Sequence, residues 1–263
     1  MSGDAGRGRR VALVTGASSG IGRGLALRLA ADGWSVALVA RRGDLLEEVA
    51  HEVRSAGAEA LVCVCDIALQ DEVVHTVDSV RSTWGPVDLL VANAGVSERT
   101  PAHRLDAAQV ERIMRVNFLG CVYATEAVLG EMIERRAGHL VAVGSLAGYG
   151  GLPSTAAYSA SKGALHNFFE SLRIDLRGSG VAVTVLTPGY VRTAITGQIA
   201  HRRPFLVELD PAVDRMYRAI RDRKPLLTFP RPLSSLAWWA QVFPAGLYDR
   251  LVGRVPRTGK EKR

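Results

Sequence analysis

Short apolar runs recur along this chain, and after most of them apolar positions return every three or four residues. The runs are VALVTG (11–16), SVALVA (35–40), ALVCVC (60–65), VDLLVA (87–92), HLVAVG (139–144), VAVTVL (181–186) and PLLTF (225–229). Helical patterns lie between them at 21–31, 45–57, 69–83, 106–136, 156–178 and 211–222, and the second of these closes on Gly57. Most of the runs lack strict polar alternation, which implies strands covered on both faces, as in a parallel sheet between two helical layers. The expected fold is therefore α/β, a doubly wound seven-stranded parallel sheet with helices on both faces. Right-handed crossovers suggest the strand order 3-2-1-4-5-6-7. One domain over 11–230 accounts for the pattern, with a flexible basic leader at 1–10 and an amphipathic aromatic and basic extension at 231–263.

Charge changes this picture little. The formal charge of +7 divides into +2 in residues 1–10 and +8 in 201–263, so residues 11–200 carry −3. A slightly acidic body argues against a nucleic-acid groove. Cys63, Cys65 and Cys121 sit in apolar runs without ligand spacing and read as buried thiols of a reducing compartment, with no metal site. The leader lacks the apolar core of a secretion signal and no apolar run reaches about 20 residues, so a cytoplasmic chain without a spanning helix is expected. The tail 233–257 joins Trp238, Trp239, Phe243 and Tyr248 to basic residues, with Pro244 dividing it. It reads either as packing on the body or a second subunit, or as a membrane-surface contact or lid.

Candidate chemistry begins after the first run, in TGASSGIG (15–22). Gly16 suits a tight turn, Gly20 a close backbone approach to a pyrophosphate, and Gly22 close packing of helix on sheet. The second run ends Ala40-Arg41-Arg42, where an acid would accept from an adenosine ribose. Arginine there favours a 2′-phosphate, with the Ser18 hydroxyl beside it, so NADP(H) is the expected cofactor. Further along, Tyr158 and Lys162 are four apart on a helical pattern and share a face. A nearby cation favours a phenolate over a phenol, so the pair suits proton transfer. Ser145 follows the fifth run, at the sheet edge where open α/β folds bind ligands.

With these, CDI (65–67), NAG (93–95), Asn117 in RVNFLG and PGYVRT (188–193) stand in an order that resembles the short-chain dehydrogenase/reductase family over about residues 10–230. The resemblance implies a Rossmann fold. It also implies that Tyr158 gives or takes the proton, that Ser145 orients the substrate oxygen, and that Lys162 lowers the phenol pKa and holds the nicotinamide ribose. Asn117 would hold a water linked to Lys162. Asp66 and Ile67 would meet the adenine, and Asn93, Ala94 and Gly95 would line the adenosine side. Pro188, Gly189, Val191 and Thr193 would hold the nicotinamide end, and Ser19 and Ile21 would complete the glycine turn. The implied activity is NADPH-dependent reduction of a ketone or aldehyde, probed against two alternatives: NADP-dependent oxidation of a secondary alcohol, and a non-catalytic NADP(H)-binding or membrane-surface scaffold. A homo-oligomer, dimer or tetramer, is the expected assembly. Small residues at Ala147, Gly148, Gly150 and Gly151 hint at room for a sizeable apolar substrate, with 96–100, 146–153, Tyr190 and 194–210 as lining.

Overall fold

A computed structural model describes residues 8–193, 205–240 and 242–253. Seven parallel strands run in the order β3-β2-β1-β4-β5-β6-β7. They are β1 (Val11–Thr15), β2 (Ser35–Ala40), β3 (Ala60–Val64), β4 (Leu89–Ala92), β5 (Gly138–Val143), β6 (Val181–Pro188) and β7 (Leu226–Phe229). β1, β4 and β5 are buried throughout, whereas the edge strands β3 and β7 keep partly exposed positions. The lack of polar alternation in the central runs has that cause.

The described helices are α1 (Gly20–Ala31), α2 (Gly43–Ser55), α3 (Gln70–Trp84), α4 (Ala107–Met114), α5 (Gly120–Glu134), α6 (Ala156–Asp175), α7 (Leu209–Arg221), α8 (Arg231–Ala240) and α9 (Ala245–Val252). On one face Leu25 of α1, Leu46 and Val49 of α2, and Met216 and Ile220 of α7 join Ala12 and Val14 in one buried cluster. On the other, Val73 of α3, Val128 of α5 and Phe169 of α6 join Val11 and Leu13 in a second. Alternate residues of β1 thus enter opposite layers, as the two-residue period of a strand requires. All three cysteines are free and buried.

Two sequence patterns resolve into finer structure. The pattern over 106–136 divides into α4, a π turn at Arg115–Leu119, and α5. Gly120 at that junction has no room for a side chain, since a Cβ would lie 2.6 Å from the Ile67 carbonyl oxygen. By length and composition alone the continuous helical run Ala107–Glu134 is long and apolar enough to cross a membrane, although it holds no unbroken apolar run of about 20 residues. In the fold, its residues Cys121, Ala124, Val128 and Met132 belong to the core beneath the sheet. Pro244 divides the tail: it is the N-cap residue of α9, so the aromatic segment forms two short helices.

Candidate active site

β1 pairs with β2 on one side and β4 on the other, so the crossovers leaving β1 and β4 diverge and open a cleft at the strands' carboxyl ends. The glycine turn and the loop after β4 are tied together there. The Thr15 hydroxyl oxygen accepts from the backbone N–H groups of Asn93 and Ala94, both at 3.0 Å, and Asn93 Nδ2 donates to the Thr15 carbonyl at 2.9 Å. Gly16 has a φ of 67°, and a Cβ on Gly22 would lie 2.3 Å from the Gly16 carbonyl oxygen. Only glycine fits at both positions, so the turn stays close to the sheet. Thr15 was not among the sequence candidates, although it stands first in the motif that supplied them.

At one end of the cleft Arg42 Nη2 donates to Ser18 Oγ at 2.9 Å and to Ser19 Oγ at 3.1 Å. Arg41 also lines the cleft but faces Asp66, with Nη1 3.9 Å from Asp66 Oδ2. The Asp66 carboxylate also accepts from the Ala68 N–H through Oδ1 at 3.1 Å, so it serves the turn after β3 as well as facing the cleft. The first turn of α1 carries no acid. A guanidinium held beside two hydroxyls at a helix N-terminus is a donor set that fits a phosphate.

At the other end the side chains are buried. Lys162 is 4% exposed and its Nζ donates to the Val143 carbonyl at 2.8 Å. Asn117 is fully buried: Oδ1 accepts from the Val96 N–H at 2.7 Å, while Nδ2 donates to the Val96 carbonyl at 2.9 Å and to Ser161 Oγ at 3.0 Å. The π turn holds Asn117, and the wider backbone of such turns is frequent at functional sites. Ser145 follows β5, and its Oγ accepts from the Ala147 N–H at 3.1 Å, leaving its hydroxyl proton free to donate. Tyr158, Lys162 and Ser145 converge on the same cleft. A phenol, a hydroxyl and an ammonium gathered at one place can hydrogen-bond and protonate a developing oxyanion.

The cleft has a volume of about 620 Å³. It brings together Gly16, Ser18, Ser19, Gly20, Ile21, Arg41, Arg42, Asp66, Ile67, Asn93, Ala94, Gly95, Ser145, Tyr158, Lys162, Pro188, Gly189, Val191 and Thr193. Gly22 and Asn117 stand behind the lining, one packing the helix and the other bracing the Val96 loop. Asn93 lines the cleft, but its amide is engaged by the glycine turn, so it ties the two loops together. Cys65, Val116 and Val143 also line it. Cys65 and Val143 stand in apolar runs and Val116 in the helical pattern 106–136, and none was among the sequence candidates.

Local electrostatics follow burial and pairing. Glu98, on the lining loop, accepts from Gln109 Nε2 at 2.9 Å and Arg112 Nη2 at 2.8 Å, which hold its carboxyl below the usual range. Burial pushes the Cys121 thiol up to about 11, and it raises the Cys65 thiol as well. His166 packs edge-to-face on Tyr149 with ring centres 5.0 Å apart, and burial lowers its pKa. It reads as a packing residue.

The small residues of the 146–153 loop do not simply leave space. The Tyr248 hydroxyl of α9 donates to the Gly151 carbonyl at 2.7 Å and crowds Gly150, while Leu233 of α8 lies against Gly189. The tail helices therefore fold onto the loops beside Ser145. Of the suggested lining stretch 194–210, residues 194–204 lie outside the described residues.

Comparison with known proteins agrees with this geometry. A family model described as short chain dehydrogenase matches residues 10–204. An uncharacterized oxidoreductase of Myxococcus xanthus is 42% identical over 246 residues, covering 94% of this chain and 97% of the relative. Some further relatives match across only about half of their own length, 54%. Among solved structures, an alcohol dehydrogenase from the archaeon Thermococcus sibiricus complexed with 5-hydroxy-NADP aligns with a TM-score of 0.76 at 27% identity, covering 84% of this chain and 96% of that one. A short chain dehydrogenase/reductase from Burkholderia phymatum in complex with NAD aligns with a TM-score of 0.82 at 23% identity, covering 96% and 98%, and shows the shared fold.

Proposed function

This chain belongs to the short chain dehydrogenase family and is an oxidoreductase of its NAD(P)(H)-dependent kind, and we propose that it reduces a ketone or aldehyde with NADPH. The observation that carries the cofactor reading is Arg42, held between the hydroxyls of Ser18 and Ser19 where an acid would be needed for a bare ribose. Asp66 is the nearby carboxylate, but it is engaged by the Ala68 N–H and faces Arg41.

Bound NADPH supplies the hydride that a carbonyl carbon accepts. Ser145 orients the carbonyl oxygen by donating its free hydroxyl proton. Tyr158 transfers its phenolic proton to that oxygen, so the carbonyl becomes an alcohol. Lys162 places its ammonium beside this site from a buried position fixed by the Val143 carbonyl. Asn117 braces the loop carrying Val96, and Pro188, Gly189, Val191 and Thr193 border the nicotinamide end. An apolar substrate suits the walls provided by Val96, Val116 and Val143.

Purified protein is assayed with 2-decanone, decanal, acetophenone and cyclohexanone, following loss of reduced-cofactor absorbance with NADPH and NADH in parallel. Turnover with NADPH above NADH is expected. Equal or better use of NADH overturns the cofactor reading, and turnover only of secondary alcohols overturns the direction.

A second reading concerns where the enzyme works. Leu236, Trp238, Trp239, Val242 and Leu247 of the tail are exposed, and the two indoles meet edge-to-face with centres 5.0 Å apart. The sequence then continues with Arg250, Arg254, Arg257, Lys260, Lys262 and Arg263. Indoles suit the headgroup layer, and basic residues are attracted to anionic lipid. This combination supports an enzyme that meets an anionic membrane reversibly through 233–257. Flotation with phosphatidylserine vesicles at low salt, reversed at high salt, is expected. Protein that stays unbound at low salt overturns it.

A further inference from the structure

α6 carries Tyr158 in its first turn, and that turn is capped by a residue far away in sequence. The N-cap residue Thr155 makes no side-chain cap bond, and its hydroxyl donates instead to the Leu152 carbonyl at 3.1 Å. The N–H of Ala157, two residues into the helix, instead donates to Thr100 Oγ1 at 3.1 Å, across a separation of 57 residues. Thr100 is 2% exposed and also holds the approach to the helix through its backbone. Its N–H donates to the Ser154 carbonyl at 2.9 Å, and it forms a parallel bridge with Thr155. Ser154 has a φ of 60°, a left-handed conformation that a non-glycine residue keeps only when its surroundings hold it.

Tyr158 stands between this cap and a second anchor. Ser161 Oγ donates to the Tyr158 carbonyl at 2.8 Å and accepts from Asn117 Nδ2 at 3.0 Å. The chain between the two anchors is the cleft-lining loop: Asn117 holds it at Val96, Gln109 and Arg112 hold it at Glu98, and Thr100 ends it. A helix end whose N–H groups lose their acceptor frays first, and proton transfer requires the phenol within a fraction of an ångström of its place.

We propose that Thr100 is a positioning residue for Tyr158, capping the first turn of the catalytic helix from the substrate-side loop. The inference rests on the reductase reading for its kinetic consequence and on geometry alone for the cap. Thr100→Val removes the acceptor while keeping the β-branched shape; Thr100→Ser keeps the acceptor and removes only a methyl.

Each variant is assayed with NADPH and the panel carbonyl that the wild-type protein reduces fastest. NADPH affinity is read by nucleotide fluorescence, and amide hydrogen exchange is followed along α6. Thr100→Val should lower kcat about ten- to a hundredfold, with the NADPH Kd within about twofold and protection lost only in the first turn of α6. Thr100→Ser should recover most of kcat and of that protection. The inference is overturned if Thr100→Val keeps kcat within about twofold. It is also overturned if kcat, NADPH affinity and protection along all of α6 fall together without recovery in Thr100→Ser. Tyr158→Phe run alongside separates the two readings. If that variant keeps its turnover, or the wild-type protein reduces none of the panel, the reductase reading has failed. The exchange measurement then decides the cap by itself: selective loss in the first turn upholds it and unchanged protection overturns it.

Discussion

Near Tyr158 the supporting polar atoms are buried with partners inside the protein, whereas at the other end the guanidiniums of Arg41 and Arg42 face solvent. At the first end Asn117 is fully buried with all its bonds made to Val96 and Ser161, and Lys162 is held by a strand carbonyl. At the second, Arg41 and Arg42 are exposed and meet only side chains on neighbouring loops. Buried hydrogen bonds fix geometry because leaving one unmade costs the full desolvation of a polar group. Exposed charges are screened by water and salt, so they bias affinity without fixing shape. On the proposed reading, one end holds geometry and the other chooses between two cofactors. Mutations should divide accordingly, with kinetic and stability effects at the first end and selective binding effects at the second.

The largest effect is expected from Tyr158→Phe, which removes the hydroxyl proposed as the proton donor. General acid catalysis contributes about a hundred- to ten-thousandfold, so kcat should fall by that order while the NADPH Kd stays within about twofold. Stopped-flow turnover and fluorescence titration of the same sample check it. Retention of most activity would place the donor elsewhere and remove the contrast between the ends.

Asn117→Ala should act on both turnover and stability. It leaves the partly buried Val96 N–H without its acceptor, a loss of about 1 kcal/mol, on top of the cavity. The melting temperature of a chain this size falls by roughly 2–4 °C per kcal/mol. A scanning melt that shows no shift would mean that the Val96 loop is held by something other than this amide.

Arg42→Ala addresses the solvent end. A charge-assisted phosphate contact is worth about 1.5–3 kcal/mol, and exposure favours the lower figure, so NADPH affinity should weaken about tenfold. NADH affinity and the melting temperature should hardly move. Equal weakening for both cofactors would show that Arg42 supports the glycine turn and does not read the phosphate.

Arg41→Ala should have the smallest effect. The side chain is 65% exposed and its ion-pair partner lies 3.9 Å away, and such surface pairs contribute about 0–1 kcal/mol. A change in NADPH affinity below about threefold is expected from isothermal titration. A larger loss than that of Arg42→Ala would reverse the assignment between the two neighbours.

Much of this was legible before any coordinates. The absence of alternation in 11–16, 87–92 and 139–144 already implied strands covered twice, and β1, β4 and β5 are buried along their whole length. Tyr158 and Lys162 were legible as a pair because one helical turn sets their spacing. The pair Arg41-Arg42 could be read as a phosphate site but not divided, since adjacent residues diverge according to what each meets. Thr15 and Thr100 stand inside stretches the sequence points to, 15–22 and 96–100, but their roles are not legible there: a single threonine in a strand end or loop carries no pattern, and its value lies wholly in a distant partner.

What the amino-acid order determines here is whatever acts over a few residues. That includes the period of each apolar run, the glycines that permit the turn after β1, the proline that divides the tail, and the four-residue step that aligns phenol and ammonium. What only the tertiary structure decides are the contacts that close long loops. Arg42 meets Ser18 across 24 residues, Asn117 meets Ser161 across 44, Thr100 caps Ala157 across 57, and Tyr248 reaches Gly151 across 97. No local preference encodes such a pairing. It exists because seven strands packed in one order bring their carboxyl ends to one edge, where buried polar atoms must find partners among whichever chains arrive there.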